Sequence, residues 1–176
     1  MLGGITGALR AAVDSGNLTQ EQAAVLGQRA ISSREGAADP QGLVSPWLPK
    51  FDGETTYGVL ITSEGNVVPL RSGQPGRFWN YPSAKHVEGK AAIWIGDNNS
   101  LGGAVYHNNT DGTCGFCNTQ IGRLLPKDAR LDVVSPGDAV AKNSMAKTGI
   151  AEYQGDQTLP KLPPPFKQYE MSWRPR

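Results

Sequence analysis

Apolar positions recur at helical spacing near the amino terminus, with Ile5, Leu9, Ala12 and Val13 on one face. The pattern breaks at Ser15-Gly16-Asn17. Thr19 and Gln22 then have the spacing of a capping box, and predict a second helix running through Val25, Leu26 and Ala30. Ser33 to Pro40 is rich in turn formers and reads as a linker. A boundary near Gly42 therefore sets residues 1–44 apart as a helical hairpin, either an accessory or the remnant of a longer polypeptide. From Tyr57 the period shortens to that of strands, Tyr57 to Thr62 and Asn66 to Leu70, joined by the turn residues Ser63-Glu64-Gly65. A Gly/Pro/aromatic loop, Ser72 to Ser83, comes next. His86 to Ile95 reads as a helix with Val87, Ala91 and Trp94 turned inward. Ala104 to His107 reads as a buried strand, and Cys114 to Leu125 as a helix that ends at Pro126. Leu131 to Val134 and Ile150 to Tyr153 supply the last strands. Five short strands alternating with helices predict an α/β sandwich, one sheet with helices packed on its faces. The tail from Leu159 carries Pro160, Pro163, Pro164, Pro165 and Pro175 and reads as extended.

Composition narrows the classes. The chain has 176 residues, enough for one well-buried unit with appendages. Mean hydropathy is -0.39 and no apolar run nears the roughly 20 residues of a membrane span, so the chain reads as soluble. Met1-Leu2-Gly3-Gly4 lacks the features of a secretory signal. The formal net charge of +1 gives no reason by itself to expect a polyanionic partner. Its distribution is uneven, with 9 Lys+Arg against 6 Asp+Glu over residues 71–147 and 4 against 7 over residues 1–70. A solvated face accounts for that excess about as well as a phosphate-binding groove does. The only two cysteines lie three apart, which is a metal half-site or a redox pair rather than a disulfide scaffold.

The chemistry gathers in two segments. His86-Val87-Glu88 followed by Cys114-Gly115-Phe116-Cys117 matches the H-x-E and later C-x-x-C of zinc deaminases. Catalytic zinc takes three protein ligands of this nitrogen and sulfur type and leaves a fourth position for water. His86, Cys114 and Cys117 are the candidate ligands, and Glu88 the candidate for moving protons, first as base and then as acid. Cysteines at i and i+3 share one side of a helix, and a place in its first turn favours their thiolates. His86 and Glu88, two apart, diverge within a regular helix, so His86 is expected at or just before a helix start. Two other readings stay open on the residues alone. The Cys-Gly-Phe-Cys pair resembles a thioredoxin-type redox motif, which leaves His86 and Glu88 without a role. A closed structural site of His86, His107, Cys114 and Cys117 is the other.

Taken together, Asn80-Tyr81, His86-Val87-Glu88-Gly89, His107-Asn108-Asn109, Gly112 to Cys117 and Leu124-Leu125-Pro126 resemble the bacterial DddA-like DNA cytosine deaminase toxins. Leu48 to Gly53 is also similar to that family's entry into its first strand. The likeness covers residues 45–150 and marks 45–158 as the deaminase domain, with 159–176 as a Pro-rich tail. It implies a cytidine-deaminase-like α/β/α sandwich with a mixed sheet, a zinc ion, and conversion of cytosine to uracil in DNA. Duplex DNA is favoured as substrate and single strands are the alternative. The same likeness implies a monomeric toxin domain of an effector that acts in the cytoplasm of a target bacterium, together with a neutralising immunity protein. Phe51 and Phe116 match aromatic positions near a flipped base, and Ser72, Tyr81, His107 and Asn109 complete the implied substrate contacts. The sequence departs from the general deaminase signature at Thr113, where Pro is usual, and from a well-known member of the family at Asp52, Arg71 and Gln74. Phe51, Trp94, Tyr106 and Phe116 also fit plain core packing, and Asn108-Asn109 fits a turn. The alternatives to a DNA deaminase are a non-enzymatic module stapled by structural zinc and a deaminase of free nucleosides or RNA.

Overall fold

A computed structural model of the chain describes residues 3–38, 48–74 and 81–156. Four α-helices and five strands follow in the order α1 (Gly3–Asp14), α2 (Gln20–Glu35), β1 (Tyr57–Thr62), β2 (Val67–Arg71), α3 (Val87–Asp97), β3 (Gly102–His107), α4 (Gly115–Leu124), β4 (Arg130–Val134) and β5 (Ile150–Gln154). A 3-10 turn, Pro82–Lys85, leads into α3. The strands form one mixed sheet in the order β2-β1-β3-β4-β5. Only β3 and β4 run parallel, and α4 is the crossover that such a pair requires. The architecture is the expected α/β sandwich, consistent with a cytidine-deaminase-like fold.

Alternate side chains along each strand point to opposite faces, and the sequence supplies both faces with apolar groups. Leu60, Val105, Leu131 and Val133 face α3 and α4, where Val87, Ala91, Ile95 and Ile121 complete a core. Val59, Ile61, Ala104, Tyr106 and Val134 face the other way and meet Ile5, Leu9 and Ala12 of α1 with Leu26 and Ala30 of α2. The sequence pattern sets the helical hairpin apart; in the folded chain it packs on one face of the sheet. The reason is elementary. An amphipathic hairpin and a sheet with two apolar faces each leave surface in water unless they bury one another, and each Leu or Ile so buried contributes roughly 1.5–3 kcal/mol.

Some element ends differ from expectation, and α3 runs two residues past Ile95, to Asp97. The capping box at Thr19 and Gln22 is formed, with both reciprocal hydrogen bonds present. That helix, however, continues through Ser33 to Glu35 instead of giving way to a linker at Ser33. It stops where Gly36 adopts a left-handed φ of 66° and its N–H caps the carbonyls of Ser32 and Ser33. Ser32 and Ser33 are buried, so the packing of α2 overrides their turn preference. β3 also begins two residues earlier than expected, at Gly102. The boundary near Gly42, most of the loop after Gln74 with Asn80 in it, and the Pro-rich tail lie outside the described residues.

Candidate metal centre

Two helices begin at the same place. His86 is the N-cap of α3 and Cys114 the N-cap of α4, both with extended backbone (φ -92° and -68°). The placement resolves the geometric problem of His-x-Glu, because His86 stands outside the helix while Glu88 lies in its first turn. Cys117 follows one turn into α4, and its N–H donates to the Cys114 sulfur at 3.5 Å. His86 Nδ1 is 3.1 Å from Cys114 Sγ and 3.2 Å from Cys117 Sγ. The three ligand atoms lie within 4.8 Å of one another, and among the described residues this is the cluster able to hold a metal ion. Both cysteines are free of disulfide bonding.

The donor set passes a chemical test of fit. Around a tetrahedral zinc with Zn–N near 2.0 Å and Zn–S near 2.3 Å, neighbouring donors sit about 3.6 Å apart. The observed nitrogen-to-sulfur separations need to open only by a few tenths of an ångström. One of the two sulfurs is also held as the anion that a cation needs. A bond from the Cys117 thiol, with the His86 imidazole beside it, holds Cys114 down at about 4. Burial, with the bond to Cys114 and the nearby Glu88 carboxylate, pushes Cys117 well up. The bond to Cys114 raises His86 in turn, with the Glu88 carboxylate adding to it. The N-terminus of α4, where both sulfurs sit, favours their anionic form. Glu88 is 4% exposed, and its carboxylate lies near enough to Cys117 to help raise the thiol.

His107 is placed differently. Its Nδ1 accepts the Asn109 N–H at 3.1 Å and its Nε2 meets Ser135 Oγ at 3.4 Å, so both ring nitrogens are engaged away from the cluster. Burial holds its pKa down, which keeps the ring neutral. His107 is not among the residues gathered at the cluster. Asn109 braces the loop after β3, donating from Nδ2 to Thr56 Oγ1 at 3.2 Å and accepting the Asp111 N–H at 2.9 Å. Ser72 ties the end of β2 to the start of β1: its Oγ accepts the Thr56 N–H at 2.9 Å and its own N–H donates to the Thr56 carbonyl. Asn108 works as a turn residue, bonded to Tyr57 N–H and to the Pro49 carbonyl. Tyr81 is half-buried against the core beneath α3 and α4. Phe51 is half-buried in the segment before β1. Phe116, between the two cysteines, is 56% exposed, whereas Trp94 and Tyr106 sit in the core.

Several residues near the site escape the sequence pattern. Lys90 is buried, donates to the Arg71 carbonyl at 2.7 Å, and is brought down to about 8 chiefly by desolvation. Tyr153 of β5 donates from its hydroxyl to Asn118 Oδ1 at 2.9 Å, and burial raises it. Ser83 and Gln120 bond across the 3-10 turn and α4. Gln120 alone carried a readable signal, because it continues the three-residue spacing from Cys114 to Cys117.

An α/β sandwich in which one histidine and two cysteines converge beside a buried glutamate is a fold that carries a site able to hold a metal ion. No protein-family model matches the chain. It is 34% identical over 130 residues to the curated double-stranded DNA deaminase toxin A of Burkholderia cenocepacia strain H111, an alignment that takes in 72% of the chain. The chain belongs to the DddA-like toxin domains. It spans 9% of the length of that relative.

Proposed function

We propose that the chain is a zinc-dependent deaminase that converts cytosine to uracil in DNA, as the toxin domain of an interbacterial effector. The observation that carries the reading is the meeting of His86 Nδ1 with two thiol sulfurs, 3.1 and 3.2 Å away, next to the buried Glu88. His86, Cys114 and Cys117 would hold the zinc, and zinc held there supplies the Lewis acidity that brings the pKa of water toward roughly 7. Glu88 takes the proton that the attacking water gives up. It gives that proton to the ring nitrogen, then takes the second one from the hydroxyl now on the ring carbon and passes it to the amine that leaves as ammonia, one carboxylate serving twice as base and then acid. The burial of Glu88 supports this, since a carboxylate shielded from bulk water exchanges protons with the reacting groups rather than with solvent.

DNA as the substrate rests on the name of the relative, and duplex is favoured over single strands on that ground. Phe116, exposed between the two cysteines, is our candidate to stack on an extruded base, which offsets part of the few kcal/mol of extrusion. Phe51, Ser72, Tyr81, His107 and Asn109 belong to the same proposed substrate surface. Ser72 and Asn109 serve it by holding loop backbone, and His107 by its bond to Asn109. Residues 45–158 are the proposed catalytic unit, acting as a monomer in a target bacterium's cytoplasm and restrained by an immunity protein. No described helix is long and apolar enough to cross a membrane. The closed four-ligand zinc site loses ground, because His107 spends both ring nitrogens elsewhere.

The test is direct. Purified protein is incubated with cytosine-containing duplex and single-stranded DNA, treated with uracil glycosylase, and scored for strand cleavage. Uracil in duplex DNA is expected, with Glu88→Ala lowering the rate by more than about 100-fold while zinc stays bound. Absence of uracil from both substrates would overturn the reading.

A further inference from the structure

Ser83 is fully buried at the junction of three segments. Its carbonyl accepts the His86 N–H at 2.9 Å, so the backbone of His86 moves with that of Ser83. The same carbonyl lies against Gly89 of α3 so closely that any side chain at 89 would displace it. On its other side Ser83 is bonded twice to one atom of α4. Gln120 Oε1 accepts from Ser83 Oγ at 2.6 Å and from Ser83 N–H at 3.2 Å. Because a backbone N–H can only donate, the atom facing it must be the amide oxygen, which fixes the orientation of the Gln120 side chain. Gln120 is one turn beyond Cys117 on α4. The path from His86 to the cysteines is therefore short and made of hydrogen bonds: His86 to Ser83, Ser83 to Gln120, and Gln120 along one helical turn to Cys117.

We propose that Gln120, acting through Ser83, is a positioning residue for the metal centre, clamping the His86-bearing turn to the cysteine-bearing helix. The proposal rests on the metal reading of the cluster given above. With the clamp in place the nitrogen and the two sulfurs are presented together before any ion arrives. Without it, the ion itself has to draw the two helix starts together, and the ordering is subtracted from its binding. Groups that orient metal ligands from behind typically carry 10- to 100-fold in metal affinity.

Two substitutions separate this role from ordinary packing. Gln120→Met keeps the length and removes the acceptor, while Gln120→Glu keeps an acceptor for both Ser83 donors. Zinc affinity is measured by competition with a chromophoric chelator, alongside melting of each protein with its metal removed. Gln120→Met is expected to bind zinc about 10- to 100-fold more weakly, with Gln120→Glu within a few-fold of the parent. A Gln120→Met protein that melts lower without metal yet binds zinc as tightly as the parent would overturn the proposal, as would equal losses in both variants. A parent protein that binds no zinc would instead overturn the metal reading and take the clamp with it.

Discussion

At the scale of single residues, what separates a catalytic centre from a structural staple is the occupation of His107. Its two nitrogens hold Asn109 N–H and Ser135 Oγ, so removing the ring should cost the loop after β3 and leave the metal in place. His107→Ala is expected to retain one zinc per chain by elemental analysis, and Cys117→Ser to lose it; release of zinc from His107→Ala would point to a closed site. Asp132 offers a prediction of a different kind. Burial, reinforced by the Glu152 carboxylate, raises its pKa above the ordinary 3.8. The two acids stand directly opposite each other across β4 and β5, a like-charge pair that opposes pairing. Because the folded state favours the protonated acid, its contribution to stability is present below pH 3.8 and is lost as pH rises through the folded-state value. Asp132→Asn should therefore melt higher than the parent near neutral pH, with the difference vanishing in acid. Melting curves across pH check this, and a constant difference would show that charge is not the cause.

At the scale of elements, the helices that carry the chemistry were legible because capping and metal ligation make overlapping demands on the same positions. A histidine two before a glutamate cannot share a helix face with it, so the start of α3 follows from His86 and Glu88 themselves. The first-turn placement of the cysteines was readable in the same way, and Cys114 turns out to cap the helix with its sulfur. The strands followed from period-two runs with turn residues between them. The end of α2 was not legible, because Ser32 and Ser33 are helical only through burial against elements distant in sequence. The hairpin's place on the sheet was hidden for a related reason, since a period reveals an apolar face and not what covers it. Leu26, fully buried where α2 meets the core of the sheet, tests that placement. Leu26→Ala is expected to cost about 2–5 kcal/mol in a single cooperative unfolding transition of the whole chain. A separate early transition, with the rest of the chain unaffected, would mean that the hairpin is a detachable appendage.

At the scale of the molecule, the sheet holds the two ligand-bearing helices side by side, and the layer built from α1 and α2 closes its other face. The site is thus assembled by helix starts, and the apolar core behind them sets their spacing. The metal cluster and Glu88 were readable from the spacing of four residues, His86, Glu88, Cys114 and Cys117. The clamp was not, because the three-residue spacing that marks Gln120 says nothing of Ser83, 37 positions away. Everything proposed for the function depends on the number and kind of atoms around the ion. X-ray absorption at the zinc edge of the purified, zinc-loaded protein measures them directly. The account predicts one nitrogen and two sulfurs, the latter at about 2.3 Å, with a light oxygen scatterer in the remaining place. Outer-shell scattering from two imidazole rings instead of one, with two sulfurs, would contradict it.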